Sequence, residues 1–157
     1  MRRKANTLIK TMLQKGETLA LAESMTCGLA AHQLATVKGT SEVLKGGIVC
    51  YHESVKCNLL RVPKNLIEKY SAESKEVTAT LAENLHHLFD ADIYAAVTGL
   101  ASGGGSETKA KPVGTVFFTV VYKGKSSHDR RHFRGTPLQI RKKACDALYD
   151  FILKQVL

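Results

Sequence analysis

Two spacings of apolar residues divide this chain into alternating elements. Leu8, Ile9, Met12 and Leu13 fall three and four apart, which lines one side of a helix, and Gly16 stands where such a helix would end. Residues 4–15 are therefore read as an amphipathic helix. Leu19, Ala20, Leu21 and Ala22 then run without interruption, which predicts a buried strand over about 18–23. That run breaks into Glu23, Ser24, Met25, Thr26, Cys27 and Gly28, and Leu29, Ala30, Leu34 and Val37 restore helical spacing over about 26–37.

The alternation continues to the end of the chain. Lys38 and Gly39 make a turn, residues 40–44 a short helical piece, and Gly46 to Tyr51 a second strand, followed by a helical stretch from Glu53 to Leu60. Arg61, Val62 and Pro63 break that pattern, and Leu66 and Ile67 support a brief helix. Ser74 reads as the cap of a long helix reaching about Phe89. Ile93 to Thr98 is an apolar, β-branched run; a glycine-rich loop extends from Gly99 to Pro112, and Val113 to Tyr122 is strongly β-prone. Lys123-Gly124 predicts a hairpin turn into a polar edge strand at about 126–134. Thr136 as cap and Pro137 at the first helical position open the last helix.

Strands alternating with helices predict an α/β fold with three α/β/α layers, a mostly parallel mixed sheet and a late antiparallel hairpin. Residues 1–157 are read as a single domain, long enough to bury roughly 70% of its unfolded surface. In such folds ligands bind at the carboxyl ends of strands. Three polar clusters are expected there: Glu23 to Gly28, Tyr51 to Lys56, and Thr98 to Gly105.

Composition narrows the setting. The cysteines Cys27, Cys50, Cys57 and Cys145 form no Cys-x-x-Cys pair, and no basic segment leads into a signal-like apolar stretch, so a cytoplasmic protein with free thiols is expected. No run approaches the roughly 20 apolar residues of a membrane span. A formal charge of +9 favours phosphate-bearing ligands. The basic clusters at Arg2 to Lys4 and from Lys123 to Lys143 lack the interleaved aromatics of single-strand binding platforms, which leaves nucleic acid as an alternative partner only. His128 and His132 share a predicted strand face without a third ligand, and His86-His87 lie on a helix, so no metal site is expected.

By position alone Ser24 can be a nucleophile, a phosphate ligand or a helix cap, because a helix N-terminus offers unpaired N–H groups to an anion or an oxyanion. Lys56 can be a base if neutral, or an anion anchor if charged; Tyr51 can relay a proton or stack on a ring. His52, beside Tyr51, is expected to point to the opposite face if both are in the strand.

The stretches Ala22-Glu23-Ser24-Met25-Thr26-Cys27-Gly28, Gly46-Gly47-Ile48-Val49-Cys50-Tyr51 with Lys56, Val97-Thr98-Gly99-Leu100-Ala101, and Lys111-Pro112-Val113-Gly114-Thr115-Val116 occur in that order. Together they resemble the CinA C-terminal domain family, named for competence and damage induction, over nearly the whole chain. The resemblance implies a three-layer α/β/α fold and hydrolysis of nicotinamide mononucleotide to nicotinic acid mononucleotide and ammonia in pyridine nucleotide salvage, with no cofactor. It implies Ser24 as nucleophile, with Lys56, Tyr51 and Thr98 as catalytic partners. Thr26, Cys27, Gly28, Gly47, Gly99, Gly104, Gly105 and Arg141 are the expected substrate-binding residues, Arg141 and the glycine loop toward the phosphate. As a base, Lys56 must lose its proton well below the ordinary lysine value of about 10.4. A homo-oligomer is expected on general grounds.

Four places depart from the family pattern: Cys27 stands at a usual glycine, Glu53 at a usual asparagine, Ser102-Gly103 at Gly-Pro, and Gly135-Thr136-Pro137 at a Gly-Asp-Arg run. Cys27 brings in a rival thiol, and Glu53 can repel the ligand phosphate if close, or pair with Lys56 and keep it charged. The alternative function is a catalytically altered module that binds nucleotide or nucleic acid.

Overall fold

Five strands make one mixed sheet in the computed structural model, which describes residues 2–157. They are β1 (Leu19–Glu23), β2 (Leu44–Val49), β3 (Ile93–Gly99), β4 (Thr115–Tyr122) and β5 (Lys125–His132), in the spatial order β2-β1-β3-β4-β5. β1 runs parallel to β2 and to β3, while β4 runs antiparallel to both β3 and β5. The expected parallel character thus belongs to the β2-β1-β3 half. β1 is paired on both edges and covered by helices on both faces, which is why all five of its residues are buried.

Helices cover both faces. Helices α1 (Arg2–Lys15), α2 (Leu29–Ala35) and α7 (Pro137–Val156) pack on one face through Leu8, Met12, Leu34, Leu148 and Ile152 against Leu19, Leu21, Ala95 and Val97. A short helix α3 (Thr40–Val43) leads into β2. On the other face lie α4 (Glu53–Asn58), α5 (Lys64–Tyr70) and α6 (Lys75–Asn84), the last continued by a 3-10 turn at Leu85–His87. There Leu60, Val77, Leu81 and Leu85 pack on Ala22 and Ala96, so alternate strand residues serve opposite layers. No described helix is long and apolar enough to cross a membrane.

Several local expectations hold for the reasons given. Gly16 leaves α1 in the left-handed region (φ 67°), and Ser74 accepts from Val77 N at 3.2 Å to cap α6. Thr136 and Gln139 form a reciprocal capping box with Pro137 in the first turn of α7. Lys123 and Gly124 both have positive φ (51° and 73°), as the tight turn between β4 and β5 requires. β2 differs from the expectation: it ends at Val49, two residues before Tyr51. Its last sheet contact is Cys50 N donating to Glu23 O at 2.8 Å. His52 Nδ1 then accepts from Ser54 N at 3.2 Å and caps α4, so His52 lies outside the strand and the alternating-face expectation for it does not apply.

β3 leaves the sheet at Gly99, where a close approach forbids a side chain. A Cβ there would stand 2.6 Å from Thr115 O and 3.0 Å from Val116 Cα, both main chain. Gly99→Ala must push β3 and β4 apart at the site's floor, and we expect it to cost about 1–3 kcal/mol in denaturant unfolding. A change below about 0.5 kcal/mol would mean that the loop yields freely.

Candidate active site

The turn after β1 is built around Glu23. Its carboxylate is buried and accepts three main-chain bonds from the start of α2: Gly28 N at 3.1 Å and Ala30 N at 3.0 Å on Oε2, and Ala31 N at 2.8 Å on Oε1. This corrects the expectation of an anion or oxyanion site at that helix end, because the protein's own carboxylate already fills it. The turn between is tight: Cys27 N donates to Ser24 O at 3.1 Å and Leu29 N to Thr26 O at 3.0 Å. Ser24 does not cap α2, whose first residue is preceded by Gly28 in the left-handed region with no side-chain cap. Its hydroxyl is left to face another partner.

That partner is Lys56, on α4. Lys56 is 1% exposed, and its Nζ lies 3.0 Å from Ser24 Oγ, 2.6 Å from Cys50 O and 3.1 Å from Tyr51 O. A neutral amine has two N–H donors and one lone pair, so it can serve both carbonyls and still accept the Ser24 proton. The three contacts therefore suit either protonation state. Burial holds the Lys56 pKa below the ordinary lysine value, against an opposing pull from Cys50, Glu73, Glu53 and Cys57. Glu53 is exposed in the first turn of α4, and among the described residues Lys56 bonds to no carboxylate, so of the two roles open to Glu53 the pairing with Lys56 does not form. Burial also pushes the neighbouring Cys50 thiol up to about 11, which keeps it protonated.

Other expected residues divide by location. Ser24, Tyr51, Gly99, Gly104, Gly105 and Arg141 line one pocket of about 250 Å³, with Met25, Glu73 and the loop from Leu100 to Gly103. Arg141, on α7, donates from Nε to Met25 O at 2.8 Å, and the rest of its guanidinium fork supplies further donors. Tyr51 contributes its carbonyl to Lys56, while the residue as a whole is 59% exposed. Thr98 is fully buried and does not meet Ser24: it pairs with Thr78 Oγ1 at 2.8 Å, and Thr78 in turn donates to Ser74 O. Thr98 therefore joins β3 to α6 behind the pocket.

The remaining expected binding residues lie outside the pocket wall. Gly28 gives its N–H to Glu23, Cys27 is exposed at φ 50°, and Thr26 is buried with its hydroxyl unpartnered among the described residues. Gly47 lies on β2, where a Cβ would point at Leu21 O and at Ala31 of α2, so its smallness serves helix packing. Gly104 N and Gly105 N do not form an open phosphate cradle either, since each donates to the Glu107 carboxylate at 2.8 Å.

Four contributing residues have contacts that the sequence does not reveal. Glu23 and Thr78 act through contacts made by the fold. Glu73 and Lys111 belong to a bridge in which Lys111 Nζ donates to Ser71 Oγ, to Glu73 O at 3.0 Å and to Ser106 Oγ at 2.8 Å. The one available signal was Glu23 itself, an acidic residue ending an apolar strand run, where burial demands a partner.

Comparison with known proteins places the chain by family and by fold. A family model described as the CinA C-terminal domain matches residues 1–156. A CinA-like protein of Desulfotalea psychrophila is 36% identical over 148 residues, covering 94% of this chain and 36% of that protein. A CinA-like protein of Pseudothermotoga lettingae is 41% identical over 114 residues, covering 73% of this chain and 28% of that protein. The chain thus spans about a third of the length of these relatives. Among solved structures, a competence-damaged protein (CinA) superfamily protein from Escherichia coli superposes with a TM-score of 0.92 at 28% identity, covering 98% of this chain and 89% of that one. CihA from Agrobacterium tumefaciens, a competence/damage inducible protein, gives 0.91 at 26% identity, with 98% and 93% covered.

Proposed function

The chain belongs to the CinA C-terminal domain family, and from that premise we propose that it hydrolyses the carboxamide of nicotinamide mononucleotide, giving nicotinic acid mononucleotide and ammonia. The observation that carries the reading is the buried contact of 3.0 Å between Lys56 Nζ and Ser24 Oγ beside a pocket that Arg141 lines. An alcohol is a poor nucleophile until a base takes its proton, and a desolvated lysine beside it is such a base.

The chemistry follows from that pair. Ser24 Oγ adds to the carboxamide carbon as its proton passes to Lys56 Nζ. The tetrahedral adduct collapses to an acyl-serine ester when Lys56 returns the proton to the departing nitrogen, which leaves as ammonia. Water then adds to the ester as Lys56 takes one of its protons, and the C–O bond to Ser24 breaks as Lys56 returns that proton to Ser24 Oγ, releasing the acid, which ionises to the carboxylate. Cys50 O and Tyr51 O orient the amine in every step. Arg141 supplies the positive charge that draws the ligand phosphate into the pocket.

Incubating the purified chain with nicotinamide mononucleotide and measuring ammonia together with the acid product tests the reading; release of neither overturns it. Steeply salt-dependent DNA or RNA binding without deamidation would support the altered-module alternative instead. The pH dependence is a second check. Only neutral Lys56 accepts a proton, so kcat/KM is lost as pH falls through its folded-state pKa. Because burial lowers that pKa, the limb is expected below the ordinary lysine value of 10.5. A profile flat across that range would remove Lys56 as the base.

A further inference from the structure

Glu73 lies between α5 and α6, and its position has a consequence for ligand choice. It lines the Ser24 pocket and also a wider groove of about 820 Å³ that includes Lys111, Phe117 and Arg130. Among the described residues of the pocket wall it is the one carboxylate, as Arg141 is the one cation. It is held from two sides. Ser106 Oγ donates to Glu73 Oε2, and Lys111 Nζ grips the Glu73 main-chain carbonyl at 3.0 Å while also binding Ser106 Oγ. Lys56 sits close enough to feel its charge.

Amide hydrolysis creates a charge where there was none. Substrate and product share the pyridinium, ribose and phosphate, and differ only in a neutral carboxamide against a carboxylate. Beside Ser24, Lys56 carrying the proton that the new acid sheds would hold the carboxylate tightly if unopposed. A fixed carboxylate in the same wall acts in the opposite sense, and a site partly shielded from water strengthens the effect. We propose that Glu73 is a specificity-determining residue that makes this pocket favour the amide form of its ligand over the acid form, so that like charge helps expel the hydrolysed product. This rests on the pyridine-nucleotide reading above.

The test is equilibrium binding of nicotinamide mononucleotide and nicotinic acid mononucleotide, by calorimetry, to the full chain carrying Ser24→Ala to prevent turnover. Adding Glu73→Gln, which keeps an acceptor for Ser106, is expected to lower the ratio of the acid Kd to the amide Kd by about tenfold. Glu73→Asp, which keeps the charge, should retain most of the preference, and Glu73→Ala should lose it as Glu73→Gln does. A loss of packing alone would weaken both ligands equally and leave the ratio unmoved. An unchanged ratio with intact amide binding overturns the role of Glu73 only. Failure of nicotinamide mononucleotide to bind the Ser24→Ala chain overturns the substrate reading, and this proposal with it.

Discussion

Ser24→Ala is expected to release ammonia from nicotinamide mononucleotide about 1,000-fold more slowly than the unaltered chain, or slower still. The change removes the attacking oxygen and little else. Lys56 keeps Cys50 O and Tyr51 O as partners, so the fold and ligand affinity should stay near those of the parent. Lys56→Met should bring a comparable loss, and the double variant should lose little more, because nucleophile and base act as one unit. Lys56→Arg should not rescue the rate, since a guanidinium does not give up its proton. Cys27→Ser should leave turnover almost unchanged, as that thiol is exposed and outside the pocket wall. Steady-state kcat/KM decides all of these. If Ser24→Ala retained a tenth of the parent rate, the nucleophile would have to be sought elsewhere.

Glu23→Ala is expected to lower stability by about 3–5 kcal/mol, the order for removing a buried group that satisfies several donors at once. Three N–H groups at the start of α2 lose their acceptor in that variant, and a cavity replaces the side chain. Glu23→Gln should cost less, about 1–2 kcal/mol, because an amide keeps one acceptor oxygen and turns an NH2 toward the other donors. Denaturant unfolding measures both. The variants should also slow turnover, since Glu23 sets the turn that carries Ser24; a Glu23→Ala protein within 1 kcal/mol of the parent would show that water can replace the carboxylate at that helix end.

Glu23 marks the boundary between what was readable and what was not. Its identity as the polar residue ending an apolar run was plain, and a turn was expected there. That its carboxylate would fill the α2 terminus was not, because the contact depends on where the chain turns between Ser24 and Gly28. Thr98 is similar: its place at the end of β3 followed from the β-branched run, whereas its partner Thr78 is 20 residues away on a helix packed over it. Tyr51 shows the effect of a small boundary shift. The strand stops at Val49, because the His52 cap turns the chain, and the phenol swings outward while the carbonyl turns to Lys56.

By itself the sequence determined the order and type of the elements, the caps at Ser74 and Thr136, the Lys123-Gly124 turn and the strand ends at which polar residues gather. These depend on periodicity, backbone conformation and short-range hydrogen bonds, all of which act within a few residues. The tertiary structure alone decided that Lys56 reaches Ser24 across 32 positions, that Glu23 and Glu107 occupy the N–H groups expected to hold an anion, and that Glu73 enters the pocket wall. Burial and pairing across long separations settle these points. They depend on how the layers close over the sheet, and no local pattern encodes which buried donor meets which acceptor.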